Sequence, residues 1–159
     1  MRLASALGIL SLAPLLGACA APGTDEPPYD PDAVAAEIEA QLRSEIARFE
    51  GKDCTVIAAL YGDREPLFVV GGRTMARRAD LEAACPGLVS RIPDGASRPV
   101  ASEAIYALGP ESGYSVTEFR VRMGPNGEPV PQFVTKIWQK SNTGWRIVHV
   151  HESVAPVAP

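Results

Sequence analysis

The C-terminal part of the chain reads FVTKIWQK at residues 133–140, SNTG at 141–144 and WRIVHVHES at 145–153. The two longer segments have the alternation that is typical of β-strands. The segment between them has the small polar residues and the glycine that a tight reversal needs. We therefore predict a β-hairpin, and we expect the rest of the chain to cover one face of its sheet.

The hairpin closes a longer series of strands. A short apolar strand is predicted at Leu67–Val70, bounded by Pro66 and Gly71-Gly72. Four longer strands at hairpin spacing are predicted over Pro99–Leu108, Tyr114–Met123, Val130–Lys140 and Trp145–Ser153. The turns between them contain Gly, Pro, Asn and Ser, which favour tight reversals. This order predicts an antiparallel meander.

Helices precede the strands. The first is predicted to begin at Pro31-Asp32, with Asp32 as N-cap, and to end at Gly51 in a left-handed conformation. Its apolar stripe consists of Val34, Ile38, Leu42, Ile46 and Phe49. Its other side is expected to carry the charged residues Glu37, Glu39, Arg43, Glu45, Arg48 and Glu50. Two shorter helices are predicted at 53–61 and 79–85, the latter stopped by Pro86-Gly87. Helices followed by a meander indicate an α+β fold with the helices on one sheet face.

Composition limits the class of protein. The chain has 159 residues, 46% of them hydrophobic and 21% charged, with a net charge of −4. This length and composition suit one globular domain. Nucleic-acid binding is disfavoured, because neutralising phosphates requires a cationic surface and none is concentrated here.

The N-terminus has the pattern of an export signal. Met1-Arg2 is followed by an apolar run from Leu3 to Leu16, which is too short for a permanent membrane span. The following Gly17-Ala18-Cys19 completes a segment that resembles the bacterial lipobox, so residues 1–18 are predicted to be removed and Cys19 to be lipidated. The alternative is ordinary signal-peptidase cleavage near Ala18 or Ala20.

These features predict where the protein resides. Residues 19–31 are expected to form a tether, rich in proline and acidic residues, and residues 155–159 a frayed tail. An alanine after Cys19 favours onward transport to an outer membrane, so we expect a lipid-anchored protein of the bacterial cell envelope that faces the periplasm. Contact with the membrane would be through the lipid alone.

Two cysteines remain, Cys54 and Cys85. An even pair in an oxidising compartment favours a disulfide, here from the start of the second helix to the end of the third. The alternative is two separately buried thiols.

The hairpin also carries a resemblance to a known family. Residues 135–140 (TKIWQK), Gly144 and residues 145–153 (WRIVHVHES) resemble the closing hairpin of SnoaL-like and DUF4440-type domains of the NTF2-like superfamily. They are also similar to the association (hub) domain of calcium/calmodulin-dependent kinase II. The resemblance covers about residues 32–154. It implies a cone, in which a curved antiparallel sheet wraps around the long first helix and leaves a pocket, and it implies a homodimer that pairs through the outer sheet face.

The same resemblance implies a set of pocket residues. Arginines of the kinase hub hold carboxylates, and the corresponding positions here are Arg120, Lys136 and Glu152. With Tyr114 and His149 they form the predicted ligand-binding set. The alternative is a set of cross-strand ion pairs on an exposed face, formed by Arg120, Arg122, Glu118 and Glu152.

The histidines of the last strand are candidate metal ligands. Alternation places His149 and His151 on the face of Trp145 and Ile147, opposite Arg146, Val148, Val150 and Glu152. A zinc site would need a third protein ligand, for which Glu118 is the candidate. No ligand spacing supports it, so we expect structural or pocket-rim histidines, no metal and no cofactor.

The superfamily contains both enzymes and binding domains. Isomerase or cyclase chemistry would need a carboxylate base and an oxyanion donor in the cone. The available residues are Tyr61, Tyr106, Tyr114, Glu103 and Glu118. None matches a catalytic pattern, so we predict a non-catalytic small-molecule binding or assembly module. An isomerase-, cyclase- or dehydratase-like enzyme and a ligand-free scaffold remain the alternatives.

Overall fold

The computed structural model describes residues 28–63, 68–70, 73–75 and 77–154. The predicted signal segment, Cys19 and the C-terminal tail lie outside these residues. Within them, no helix is long and apolar enough to cross a membrane.

The described residues form three helices and one six-stranded sheet. The helices are α1 (Pro31–Glu50), α2 (Thr55–Leu60) and α3 (Arg78–Val89). The strands are β1 (Phe68–Val70), β2 (Arg73–Met75), β3 (Val100–Gly109), β4 (Ser112–Val121), β5 (Val130–Ser141) and β6 (Gly144–Val154). They are ordered β2-β1-β6-β5-β4-β3. The predicted meander is confirmed, whereas β2, and the parallel pairing of β1 with β6, were not predicted.

Helix α1 has the predicted apolar stripe but different ends. Its N-cap is Asp30 and not Asp32, because the Asp30 carboxylate accepts hydrogen bonds from the backbone N–H groups of Asp32 and Ala33 at 3.0 and 3.3 Å. Gly51 has a φ of −73°, so it does not adopt the left-handed conformation that was predicted for it. Lys52 adopts it instead, with a φ of 57°.

Helix α3 continues past the predicted stop and includes Pro86. The proline lies on the exposed side of the helix, where water can bond the carbonyl group that lacks its helical partner. The preceding residue is fixed by a disulfide between Cys54 and Cys85, with the two Cα atoms 5.9 Å apart. The predicted disulfide is therefore present, and it joins the start of α2 to the middle of α3.

A β-bulge in β6 decides which side chains face the helices. Trp138 pairs with Ile147 and Ile137 with His149, so that Val148 is an extra residue. An extra residue reverses the alternation of the strand beyond it. Val150 is consequently buried, and His149 and His151 lie on the opposite, outer face. Their predicted position on the face of Trp145 and Ile147 was wrong.

The core lies between α1 and the inner face of the sheet. Ile38 and Leu42 of α1 and Trp138 of β5 are fully buried. The close packing at position 113 requires a glycine, since a Cβ atom there would lie 2.7 Å from the backbone oxygen of Tyr106 and 2.5 Å from Cδ1 of Ile38 in α1. The Trp138 indole N–H is also paired, donating to the Ser115 hydroxyl at 3.0 Å. The long helix and the sheet thus pack together in the hydrophobic core of the domain.

Candidate functional site

The domain contains a cavity of about 860 Å³. Helices α1 and α3, the loop before β3 and the inner face of the sheet line it. Most of its wall is apolar and includes Phe49, Phe68, Leu81, Val89, Val121 and Val134. The aromatic side chains of Phe49 and Phe68 therefore line the cone without filling it, and there is room for a small molecule.

The deepest polar group in the cavity wall consists of Glu45, Tyr61 and Lys136. The Lys136 ammonium contacts Oε2 of Glu45, and the Tyr61 hydroxyl donates to Oε1 of Glu45 at 2.6 Å. The side chains of Lys136 and Glu45 are only 4% and 3% exposed. Burial lowers the pKa of Lys136 and raises the pKa of Tyr61 well above its usual value. Both oxygens of Glu45 are occupied.

A second polar group, nearer the opening, crosses the sheet as a row. Arg98 donates from Nε to Oε1 of Gln132 at 2.5 Å, and Nε2 of Gln132 donates to Oε1 of Glu152. The Arg98 guanidinium also lies over the Phe119 ring, 3.6 Å from its centroid. Burial lowers the pKa of Arg98 and raises the pKa of Glu152. This polar row, Arg98–Gln132–Glu152, leaves the Nη groups of Arg98 and Oε2 of Glu152 without hydrogen-bond partners among the described residues.

The structure separates the five predicted ligand-binding residues into two sets. Lys136 and Glu152 line the cavity. Arg120 does not, because it lies on the outer face, 49% exposed, and pairs with Glu118 at 2.7 Å. For Arg120 the alternative of an ion pair on an exposed face is the correct one, although the pair lies within β4 and is not cross-strand.

Tyr114 and His149 also lie outside the cavity. Strand register places them in one row on the outer face, on either side of Ile137. The Tyr114 ring stacks on Tyr106, with the centroids 4.8 Å apart. The prediction that these two side chains line the pocket was wrong, and for His149 the cause is the bulge at Val148.

Three residues of the site were not predicted: Glu45, Arg98 and Gln132. Glu45 was expected on the charged side of α1, although it follows Leu42 by three residues and Ile38 by seven, a spacing that belongs to the buried stripe. Gln132 occupies an inward position of β5 that alternation with Val134 and Lys136 identifies. No periodic sequence pattern identifies Arg98, because it lies in the loop before β3.

The histidines of β6 are the candidate metal ligands that the sequence offers. The described residues contain no group of three or more His, Cys, Asp or Glu side chains that could hold a metal ion. The two histidines of β6 lie on the outer face, away from the carboxylates of the cavity.

Comparisons with known proteins agree with this architecture. No protein-family model matches the chain, and no curated protein matches its sequence. Solved structures do match it. An NTF2-like protein of unknown function from Pseudomonas putida superposes with a TM-score of 0.70 at 16% identity, over 80% of this chain and 89% of that one. The chain has an NTF2-like fold.

Two further structures show the breadth of this fold. A DUF3225 protein of unknown function from Pectobacterium atrosepticum is 22% identical, with a TM-score of 0.65 over 78% of this chain and 92% of that one. The CaMKII hub homology domain of Chlamydomonas reinhardtii is 17% identical, with a TM-score of 0.61 over 77% of this chain and 99% of that one. At these identities the comparisons establish the NTF2-like fold and leave the activity to be argued from the site.

Proposed function

We propose that the protein binds, without transforming it, a small molecule that combines a carboxylate with an apolar body. The proposal rests on the environment of the Arg98 side chain. Its guanidinium lines the cavity, and in the part of the chain that the structure describes it has no ion-pair partner. A partly desolvated guanidinium is stabilised by an anion, and it can hold a carboxylate through two parallel hydrogen bonds.

Two contacts hold the Arg98 side chain in the wall of the cavity. Gln132 accepts from Nε, and the Phe119 ring supports the guanidinium plane from below. These two contacts leave the Nη groups without a hydrogen bond to the described residues, so that they can donate to a ligand. The apolar wall of the cavity would then bury the remainder of that ligand, as expected for a small-molecule site with few polar groups.

Calorimetric titration tests the role of Arg98. We expect 3-phenylpropanoate or 4-methylpentanoate to bind wild type, and Arg98→Gln to weaken binding by about tenfold or more, because a hydrogen bond to a charged group contributes about 1.5–3 kcal/mol. Arg120→Gln is the matched control, since it removes an arginine of the outer face and should leave the affinity unchanged. Circular dichroism would establish that both variants are folded.

Two results would contradict this proposal. Equal losses in the Arg98 and Arg120 variants would show that the effect is one of overall charge. No binding of either acid to wild type would favour the ligand-free scaffold.

A second candidate function is proton transfer by Glu152. No described residue donates a hydrogen bond to its Oε2, and burial raises the pKa of its carboxyl group, both of which suit a general base. Glu152 would take a proton from the carbon next to a ketone, and Arg98 would stabilise the resulting enolate oxygen. In heavy water, wild type should then accelerate deuterium exchange at C3 of 4-methyl-2-oxopentanoate, and Glu152→Gln should not. Exchange at the rate in buffer alone would eliminate this function.

We also propose that the domain is anchored to a bacterial envelope membrane through Cys19 and faces the periplasm. The lipobox-like segment supports the anchor, and the disulfide between Cys54 and Cys85 supports an oxidising compartment. Labelled palmitate should be incorporated by the wild-type chain in bacteria and not by Cys19→Ala. Equal labelling of both would refute lipidation at this residue.

Self-association is the remaining part of the proposal. The outer sheet face exposes large apolar side chains, and one structure of the same fold is a hub homology domain. We propose a homodimer that pairs through this face.

A further inference from the structure

The polar row has opposite chemical character at its two ends. Guanidinium groups only donate hydrogen bonds, and ionised carboxylates only accept them. The Gln132 amide satisfies both neighbours, with its oxygen toward Arg98 and its nitrogen toward Glu152. A molecule that contacts both ends of the row must therefore accept at one end and donate at the other.

Glu152 differs from Glu45, the carboxylate of the deepest polar group. Glu45 has one oxygen bonded to Tyr61 and the other to Lys136. Glu152 uses one oxygen for Gln132, and its second oxygen has no partner among the described residues. Glu152 is thus placed to accept a hydrogen bond from a molecule in the cavity.

The charge balance of the cavity is an independent reason to expect a positively charged group on the ligand. The cavity is lined by four cationic side chains (Lys52, Arg98, Arg122 and Lys136) and four carboxylate side chains (Glu45, Glu50, Asp94 and Glu152). A ligand with a carboxylate alone would add an uncompensated negative charge to a partly desolvated site, which is costly. A ligand that also carries a positive charge keeps the balance.

We infer that the ligand is an amino-acid-like zwitterion with an apolar side chain, whose carboxylate binds Arg98 and whose ammonium group binds Glu152. This inference rests on the proposed function, because it adds a second recognition element to the same site. Glu152 provides selectivity for the amine, Arg98 holds the carboxylate, and the apolar wall accommodates the side chain.

Matched pairs of probes test the inference by calorimetric titration of the purified protein. Phenylalanine is paired with 3-phenylpropanoate, and leucine with 4-methylpentanoate, so that each pair differs only in the amino group. We expect at least one amino acid to bind wild type more tightly than its deaminated partner by about tenfold or more. Glu152→Gln should remove this preference and retain the binding of the deaminated acid, whereas Arg98→Gln should weaken both.

The outcomes separate the inference from the proposed function. If the deaminated acids bind wild type as well as or better than the amino acids, the inference is overturned while carboxylate binding stands. A preference for the amino acid that persists in Glu152→Gln also overturns it. If none of the four probes binds wild type, the proposed function and the inference fail together. Glu118→Gln, a carboxylate of the outer face, is the matched control and should keep the preference.

Discussion

The buried pair of Glu45 and Lys136 brings two charges together from positions 91 residues apart. Burying a lone charge costs several kcal/mol, so each side chain depends on the other. Tyr61 supplies the hydrogen bond that satisfies the second oxygen of Glu45. The three residues also line the cavity, so their arrangement determines the shape and charge of its floor.

Removing one partner of this pair should destabilise the fold strongly. We expect Lys136→Met to lower the free energy of unfolding by about 3–5 kcal/mol, because it leaves Glu45 buried and unpaired. The double variant Glu45→Gln with Lys136→Met should recover a large part of this loss, because no unpaired charge remains. Urea unfolding monitored by circular dichroism measures all three proteins.

A surface pair provides the matched control. Lys140 contacts Glu37 at 2.6 Å, with side chains 38% and 48% exposed. Lys140→Met should therefore cost much less stability than Lys136→Met. A cost for Lys136→Met as small as that for Lys140→Met would mean that the buried contact is not a coupled ion pair.

At the residue scale, the direction of a side chain could be predicted where that side chain lies on a regular helix or strand. Lys136 and Gln132 alternate with Val134 along β5, so their inward direction follows from strand geometry. Glu45 also has a periodic position, but its charge suggested the exposed side of the helix. Arg98 is placed by the loop before β3 and by contacts with Gln132 and Phe119, which are distant in sequence. Contacts of this kind leave no local pattern.

At the element scale, the closing hairpin shows both the strength and the limit of sequence patterns. Its two strands and its turn were predicted close to their observed bounds. The bulge at Val148 was not predicted, because a classic bulge depends on one backbone conformation and requires no particular side chain. One extra residue nevertheless exchanged the sheet faces that alternation predicts for His149 and Glu152, so that the histidine lies on the outer face and the carboxylate lines the cavity.

Helix α3 shows how a tertiary restraint can override a local stop signal. Pro86-Gly87 predicted an end at Cys85, yet the helix continues to Val89. The disulfide fixes Cys85, and Leu81 and Val89 pack on the core side. The added turn brings Val89 into the wall of the cavity. Part of the apolar wall of the cavity therefore comes from a segment that was predicted to lie beyond the end of the helix.

At the scale of the whole molecule, the two faces of the sheet have different roles. The inner face carries the core and the cavity. The outer face exposes Tyr106, Phe133 and Ile137, which are 50%, 42% and 41% exposed. Strand register places Tyr106, Tyr114 and Ile137 in one row across three neighbouring strands. Such a contiguous apolar strip on a sheet is a typical protein interaction surface.

The proposed homodimer predicts that one charge on this strip abolishes association. In sedimentation velocity at micromolar concentration, residues 22–159 of wild type should sediment as a dimer and Ile137→Glu as a folded monomer, because a buried unpaired carboxylate is costly. Leu88→Glu is the control, since Leu88 is 47% exposed on α3 and lines the cavity, away from the outer face. It should remain dimeric. A wild-type monomer would refute the homodimer, and a dimer of Ile137→Glu would place the interface on another surface.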